Sequence, residues 1–143
     1  MATYNNFLKT NYFSVTDENK FMDICRKVKS NTGDKLEIVS ITESDQNKFS
    51  FCCYGTPIYD CEKSRNGLYN EALEELLNEL QSVVAFGDAI IIKEIGQEKL
   101  RFLNATAYII TKDDIKFIDF DDYMLSVARQ QLDDVNWDTR ITY

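Results

Sequence analysis

The sequence contains no histidine, and this absence excludes a large class of chemistry. Ser-His-Asp catalysis, Cys-His catalysis and histidine-ligated metal sites all need an imidazole. The phosphate-binding patterns G-x-x-x-x-G-K-[ST] and G-x-G-x-x-G are absent too, as is the calcium loop D-x-[DN]-x-[DN]-G. The sequence therefore predicts a protein that has no cofactor and no metal ion and that is not an enzyme.

The four cysteines lack the paired spacing of a metal site, since no C-x-x-C occurs. Cys52 and Cys53 are adjacent, and adjacent residues of a strand point to opposite faces. This arrangement suits buried apolar residues more than a disulfide framework. Cys61, near Lys63 and Arg65, is the one candidate nucleophile, and we interpret it as an unreactive loop residue.

Long apolar runs are scarce as well. The longest candidate, VVAFGDAIII at 83–92, is interrupted by Gly87 and Asp88 and is too short to span a bilayer. The stretch MATYNNFLKTNYF has no basic region followed by an apolar one, so it does not indicate a signal peptide. We expect a cytoplasmic protein that does not bind membranes, because the chain also lacks a basic cluster for an anionic lipid surface.

The single proline, the five glycines and the apolar pattern predict one α+β domain over residues 1–143. We expect a mainly antiparallel sheet of about five to six strands with two to three helices packed on one face. The predicted order is β-α-β-β-α-β-β-β-α, with a ferredoxin-like front half. Strands are predicted at 10–15, 36–44, 48–55, 89–95, 99–111 and 115–120. Helices are predicted from a Thr16 cap to Gly33, at 69–87 and at 121–132. Between them we expect a loop at 56–67 and a turn at Gly96-Gln97, and residues 137–143 are predicted as a short strand or a docked tail.

Charge is distributed unevenly along the chain, whose formal net charge is −8. Residues 1–67 hold nine basic and nine acidic residues, whereas 68–143 hold seven basic and fifteen acidic ones. The densest segment, 112–138, contains eight aspartates and three basic residues. Phosphate binding requires clustered Lys and Arg, so this distribution argues against direct nucleic-acid binding and favours a basic protein partner.

Some of these aspartates are explained by the start of a helix. Asp119 occupies the position of an N-cap, and Asp121 and Asp122 follow in the first turn, where the helix dipole favours negative charge. A Mg²⁺ or Ca²⁺ site built on the same carboxylates is the weaker alternative.

Capping leaves the aspartates after the helix without a structural role. Asp133 and Asp134 lie at the helix end where negative charge is unfavourable, and Asp138 lies beside Trp137. An acidic rim with an aromatic anchor is typical of a protein-binding patch, although Trp137 also suits a core position that pins the C-terminal tail. The outward face of the helix at 69–87 adds two glutamates. The predicted partner-binding residues are Asp119, Asp121, Asp122, Asp133, Asp134, Asp138, Trp137, Glu75 and Glu79.

Three segments together carry a resemblance to a known group of proteins. They are KTNYFSVTDENKFMDICRKV at 9–28, AIIIKEIGQEKLRFLNATAYIIT at 89–111 and NWDTRITY at 136–143. The chain resembles a family of small acidic proteins, without an assigned activity, carried on conjugative and phage-like elements of Gram-positive gut bacteria. The resemblance implies a mobile-element setting, in which anti-defence proteins and toxin–antidote pairs are common.

Two functions follow from the acidity and the resemblance. The first is a non-enzymatic protein that binds a basic host protein, in its sharpest form an anti-CRISPR or anti-restriction inhibitor that occupies the channel of a nucleic-acid enzyme as a DNA mimic. The second is an immunity-type or regulatory partner of one protein encoded on the element. A domain with a small-molecule ligand or an unusual active site is the third hypothesis. Pairing of edge strands in a homodimer is a further expectation.

Overall fold

The structure is a computed structural model, and it describes residues 5–98 and 102–139 of the protein. The fold is α+β. The strands found in these residues are β1 (Asn5–Thr10), β2 (Val28–Ser30), β3 (Glu37–Glu43), β4 (Gln46–Tyr54), β5 (Pro57–Tyr59), β6 (Ile90–Glu98), β7 (Phe102–Ile110) and β8 (Ile115–Asp119). The helices are α1 (Glu18–Arg26), α2 (Glu62–Arg65), α3 (Tyr69–Val83) and α4 (Phe120–Leu132). The predicted α+β class is confirmed. The observed order contains three elements that were not predicted, which are β2, β5 and α2.

Six of the strands form one sheet in the order β3-β4-β1-β6-β7-β8. β1 lies inside the sheet, where Leu8 pairs with Cys53 of β4 and with Glu94 of β6. All neighbouring strands run antiparallel, so the predicted antiparallel sheet is confirmed. β1 and β3 both run antiparallel to β4, so they are parallel to each other with β4 between them, and β1-α1-β3 is a split β-α-β unit. With β6 next to β1, the order β3-β4-β1-β6 agrees with the ferredoxin-like arrangement predicted for the front half.

The core lies between one face of this sheet and the helices α1 and α3. Phe13 is fully buried at its centre, with its ring edge-on to Phe21 of α1 at 5.4 Å between centroids. The apolar spacing of the helix predicted at 69–87 favours an inward stripe of Leu73, Leu76, Leu77, Leu80 and Val84. It is confirmed, because all of these are buried except Leu73, which is half-buried against the core. α3, with 15 residues, is the longest of the described helices, and none of them has the length and apolar character needed to cross a membrane.

The first strand and the first helix start at residues other than those predicted. β1 ends at Thr10, where the prediction has a strand begin, and Phe13 forms only an isolated bridge. Asp17, not Thr16, caps α1, since its carboxylate accepts a 3.0 Å hydrogen bond from the backbone N–H of Lys20. The backbone N–H of Thr16 instead donates to the end of α3, which leaves Asp17 at the capping position.

The region 56–67, predicted as a loop, contains β5 and α2. β5 pairs with β2 in a separate two-stranded sheet, and α2 is a four-residue helix. β2 takes residues that the prediction assigned to the first helix, so α1 ends at Arg26. All three elements are too short to show a period in the sequence.

The hairpins of the main sheet agree with the prediction in part. β3 and β4 form the predicted hairpin, and the segment 112–114 turns between β7 and β8 as expected. The predicted turn at Gly96-Gln97 is wrong, because both residues lie in β6 and pair with β1 and β7. The residues 99–101, placed by the prediction in a strand, and the tail residues 140–143 lie outside the described residues.

Candidate protein-binding surfaces

The N-terminus of α4 carries the first three predicted site residues. Asp119 is the N-cap, and its carboxylate accepts a 2.9 Å hydrogen bond from the backbone N–H of Asp121. Asp121 and Asp122 lie in the first turn, where the helix dipole stabilises them. The predicted capping role is confirmed. Asp119 and Asp121 are half-buried and Asp122 is exposed, so this end of α4 presents negative charge at the surface.

The C-terminus of α4 carries the next group, held by Arg129. The Nε atom of Arg129 donates a 2.7 Å hydrogen bond to the backbone carbonyl of Trp137, and its Nη2 atom lies 3.9 Å from the carboxylate of Asp138. Asp133 adopts a left-handed backbone with φ of 50° and ends the helix, and the carboxylate of Asp134 accepts from the N–H of Asn136. Trp137 is half-buried and lies outside the core cluster, so it is not a core residue.

Between these two ends, α4 exposes apolar side chains. Phe120, Tyr123 and Met124 lie at helical spacing on one side, and they are 49%, 59% and 37% exposed. Leu125, on the other side, is the buried residue of α4. The apolar spacing of the helix predicted at 121–132 favours an inward stripe of Met124, Leu125, Ala128 and Leu132. This prediction is wrong for Met124 and Leu132, both of which are exposed. We call Phe120, Tyr123, Met124 and the half-buried Val127 the α4 stripe.

Glu75 and Glu79, the remaining predicted site residues, lie on a different element. Both are half-buried on α3 and lie near Tyr59 of β5. Burial raises the pKa of Tyr59, and the negative charges of Glu79 and Glu75 raise it further. α4 contacts β7 and β8, whereas α3 contacts α1, α2, β5 and β7. The structure therefore gathers the aspartates at the two ends of α4 and places the two glutamates elsewhere.

A second surface, absent from the sequence prediction, is the face of the six-stranded sheet opposite α1 and α3. The pairing register places Phe7 of β1, Tyr54 of β4, Ile95 of β6 and Ala105 of β7 in one row across this face. We call it the open face. Its large apolar side chains are between 36% and 64% exposed; they are Phe7, Val39, Ile41, Tyr54, Ile91, Ile95, Leu103 and Ile118.

The open face also carries all the lysines that the described strands contribute to this sheet. Lys9 pairs directly with Lys93, Lys48 pairs with Ile41, and Lys116 pairs with Ile109. The glutamates Glu37 and Glu43 lie on the same face, which leaves an excess of two positive charges there. A basic, apolar face in a chain of net charge −8 contrasts with the acidic ends of α4.

A groove of about 400 Å³ runs along this face next to the start of α4. Ala105 and Ala107 form a floor of small side chains, and Lys93, Leu103 and Phe120 stand around it. Small residues on a sheet allow another element to approach closely. The groove therefore has room for a packed helix or chain segment.

An internal cavity of about 70 Å³ lies between α1, α3 and the sheet. Glu94 is its one charged lining residue, and its Oε1 atom accepts a 2.9 Å hydrogen bond from Asn6 Nδ2. Burial and the nearby charge of Glu94 raise the pKa of Tyr108, which also lines the cavity. Its volume is about half that of a cavity of about 150 Å³ that holds benzene, so it does not fit a drug-sized ligand.

The four cysteines are free thiols. Cys25 and Cys53 are buried, and burial raises the pKa of Cys25 to about 12 and that of Cys53 to about 11. Cys61 precedes α2 and is half-buried, with its backbone N–H donating to the hydroxyl of Ser64 at 3.0 Å. Among the described residues, no group of three or more cysteine, aspartate or glutamate side chains is placed to hold a metal ion.

Comparison with protein-family models, with curated proteins and with solved structures finds no match to this chain.

Proposed function

We propose that the protein is a non-enzymatic binding protein that uses α4 and the turn after it to hold a basic surface of another protein. The observation that carries this proposal is the composition of α4. Its exposed side presents the apolar α4 stripe, while aspartates lie at both of its ends. Apolar side chains supply binding energy once buried, and the surrounding charge orients the partner and raises the association rate.

The length of α4 supports a target with extended positive charge. A helix of 13 residues is about 20 Å long, so Asp121 and Asp134 are separated by a distance comparable to several phosphate steps along a nucleic-acid strand. A protein that normally holds a nucleic acid offers lysines and arginines over such a length. The sharpest form of the proposal is therefore an anti-CRISPR or anti-restriction inhibitor that acts as a DNA mimic in the cytoplasm of a bacterium carrying the mobile element.

The α4 stripe also favours the second hypothesis, an immunity-type or regulatory partner of a protein encoded on the element. DNA mimicry depends on charge, and charge interactions between exposed groups weaken as salt screens them. Burial of Tyr123 and Met124 against an apolar partner would persist in salt. The salt dependence of binding therefore separates the two candidates.

The test uses a variant that removes charge from α4 while keeping its caps. Asparagine caps a helix about as well as aspartate and tolerates the left-handed backbone found at Asp133, so the helix should remain intact. The variant is Asp119→Asn, Asp121→Asn, Asp122→Asn, Asp133→Asn and Asp134→Asn. The matched control removes five exposed acids elsewhere and is Glu43→Gln, Asp45→Asn, Glu62→Gln, Glu71→Gln and Glu74→Gln.

Both variants and the parent chain are assayed against purified restriction and CRISPR nucleases from Gram-positive hosts, at about 50 mM and 300 mM salt. The expected result is inhibition that falls at least tenfold in the α4 variant and in high salt, and less than threefold in the control. Equal losses in both variants would show that only net charge matters. Inhibition unchanged by the α4 variant would refute the acidic decoy, and binding of an element-encoded protein that survives salt would support the second candidate.

A further inference from the structure

Two surfaces of the described chain leave large apolar side chains in water. One is the open face of the sheet, and the other is the α4 stripe. Antiparallel sheets that expose one face to solvent normally alternate apolar and polar residues, and here the solvent face is apolar in most rows. Exposed apolar patches of this extent mark interaction sites.

The two surfaces carry opposite charge. Lys9, Lys48, Lys93 and Lys116 all point from the open face, whereas α4 begins and ends with aspartates. Glu37 and Glu43 lie on the same face and Lys48 is ion-paired to Glu43, so the open face keeps an excess of two positive charges. Two such faces repel each other, which argues against packing two open faces together. It attracts a segment that is both apolar and acidic, and α4 is such a segment.

The dimensions also agree. α4 is about 20 Å long, and six strands about 4.8 Å apart span roughly 24 Å between the outermost strands. The floor made by Ala105 and Ala107 lets a helix approach the sheet closely, and the groove of about 400 Å³ can accept large side chains of the stripe. A helix can thus lie on this face with Tyr123 and Met124 pointing into the groove.

We infer that the occupant is a second copy of this chain, and that its α4 stripe packs on the open face. The contact is reciprocal, so each copy supplies one helix and one sheet face in a two-fold dimer. This inference goes beyond the proposed function and has a consequence for it. In the dimer, α4 is covered, and a basic partner has to displace the second copy before it can bind.

The dimer is tested by a pair of charge exchanges. Lys9→Glu with Lys93→Glu makes the open face acidic, and Tyr123→Lys with Met124→Lys makes the stripe basic. All four side chains are exposed, so neither variant disturbs the core. When either variant is alone, both helix–sheet contacts of its dimer bring like charges together. In the first variant the acidic face meets the acidic α4, and in the second the basic stripe meets the basic face. In a one-to-one mixture, the acidic face meets the basic stripe and the original face meets the original stripe, so a mixed dimer can form.

The measurement is molar mass by light scattering and sedimentation at about 100 μM protein and 50 mM salt. We expect a dimer for the parent chain, monomers for each variant and a dimer for the mixture. The control, Lys20→Glu with Lys63→Glu, removes the same charge from α1 and α2 and should leave the dimer intact. A monomeric parent chain overturns the inference, and so does a dimer that persists in both variants, which would indicate edge-strand pairing.

Failure of the dimer can be told from failure of the proposed function. Lys9→Glu with Lys93→Glu changes no residue of α4. If the inference holds, this variant inhibits a basic target at least as well as the parent chain, because its α4 is no longer covered. If only the proposed function fails, the charge exchange still controls the mass and no target is inhibited.

Discussion

The Nε atom of Arg129 lies 2.7 Å from the backbone oxygen of Trp137 and thereby ties the turn after α4 to the helix. This bond joins residues eight positions apart, and it is supported by the weak ion pair between Arg129 and Asp138. It fixes where the aspartates at this end of α4 point.

We predict that Arg129→Ala lowers the free energy of unfolding by about 1–2 kcal/mol, because a hydrogen bond from a charged donor is lost. Urea unfolding followed by circular dichroism measures the change. Trp137 fluorescence should also shift to longer wavelength, since its half-buried ring becomes more exposed. Arg129→Lys is the control, since it keeps the charge without the planar donor and should recover only part of the loss. An unchanged spectrum and midpoint would show that the bond does not hold the turn.

A second prediction concerns the two-residue turn between β3 and β4. Ser44 and Asp45 have φ of 52° and 64°, and Glu43 pairs with Gln46 on either side of them. Such a turn favours Asn-Gly, because a residue other than glycine in the left-handed region costs roughly 1–2 kcal/mol. We predict that Ser44→Asn with Asp45→Gly raises the free energy of unfolding by about 1–2 kcal/mol. A higher urea midpoint at unchanged slope would confirm it, and a lower midpoint would contradict it.

The sheet could be predicted from the sequence where strands are long and bounded by turn residues. The hairpin of β3 and β4 follows from two apolar runs that leave residues 45–47 between them. The structure instead has a two-residue turn of Ser44 and Asp45 between the paired residues Glu43 and Gln46. The turn at Gly96-Gln97 was wrong because glycine in a strand interior and glycine in a turn look alike in one sequence. Gly96 is buried in the middle of the sheet, where it pairs with Asn6 of β1 and Asn104 of β7.

The candidate surfaces were harder to predict. In α4, the stripe containing Leu125 and the stripe containing Phe120 both have helical spacing, and only the position of the helix against β7 and β8 decides which is buried. The sequence does carry a signal of the open face. β6 is apolar at both alternating positions, with Ile90 and Ile92 inward and Ile91 and Ile95 outward, as in a strand covered on both faces.

A third prediction compares two phenylalanines on opposite faces of the sheet. Phe13 is fully buried and packs edge-on against Phe21 and Phe51, whereas Phe7 is 45% exposed on the open face beside Tyr54. We predict that Phe13→Ala lowers the free energy of unfolding by about 3–5 kcal/mol, because it leaves a cavity in the core. Phe7→Ala should lower the free energy of unfolding by less than about 1.5 kcal/mol, mostly because the ring contact with Tyr54 is lost. Similar losses in urea unfolding at micromolar protein would contradict this assignment of core and open faces.

The last prediction is a loss of stability at alkaline pH. Cys25 and Cys53 have ordinary thiol pKa values of about 9.0 in the unfolded chain, and burial raises these pKa values to about 12 and about 11 in the folded protein. The folded state therefore keeps protons that the unfolded state releases above pH 9. Their contribution to stability is complete below pH 9 and is lost as pH rises toward 11 and 12.

Each buried thiol contributes at most about 1.4 kcal/mol per pH unit to this slope. We expect the urea midpoint of the parent chain to decrease between pH 9 and pH 11. The variant Cys25→Ala with Cys53→Ala should be less stable at pH 8, but its urea midpoint should decrease less steeply with pH. Tyr59 and Tyr108, whose pKa values are also raised by burial, add to the slope of both proteins, and the contribution of Tyr59 is smaller in the variant because Cys25 is one of the groups that raise its pKa. The difference between the two slopes therefore reports the cysteines together with the effect of Cys25 on Tyr59. Parallel slopes would mean that the two thiols titrate in the folded protein as they do in the unfolded chain, and that their burial between α1, β4 and the sheet is looser than the structure indicates.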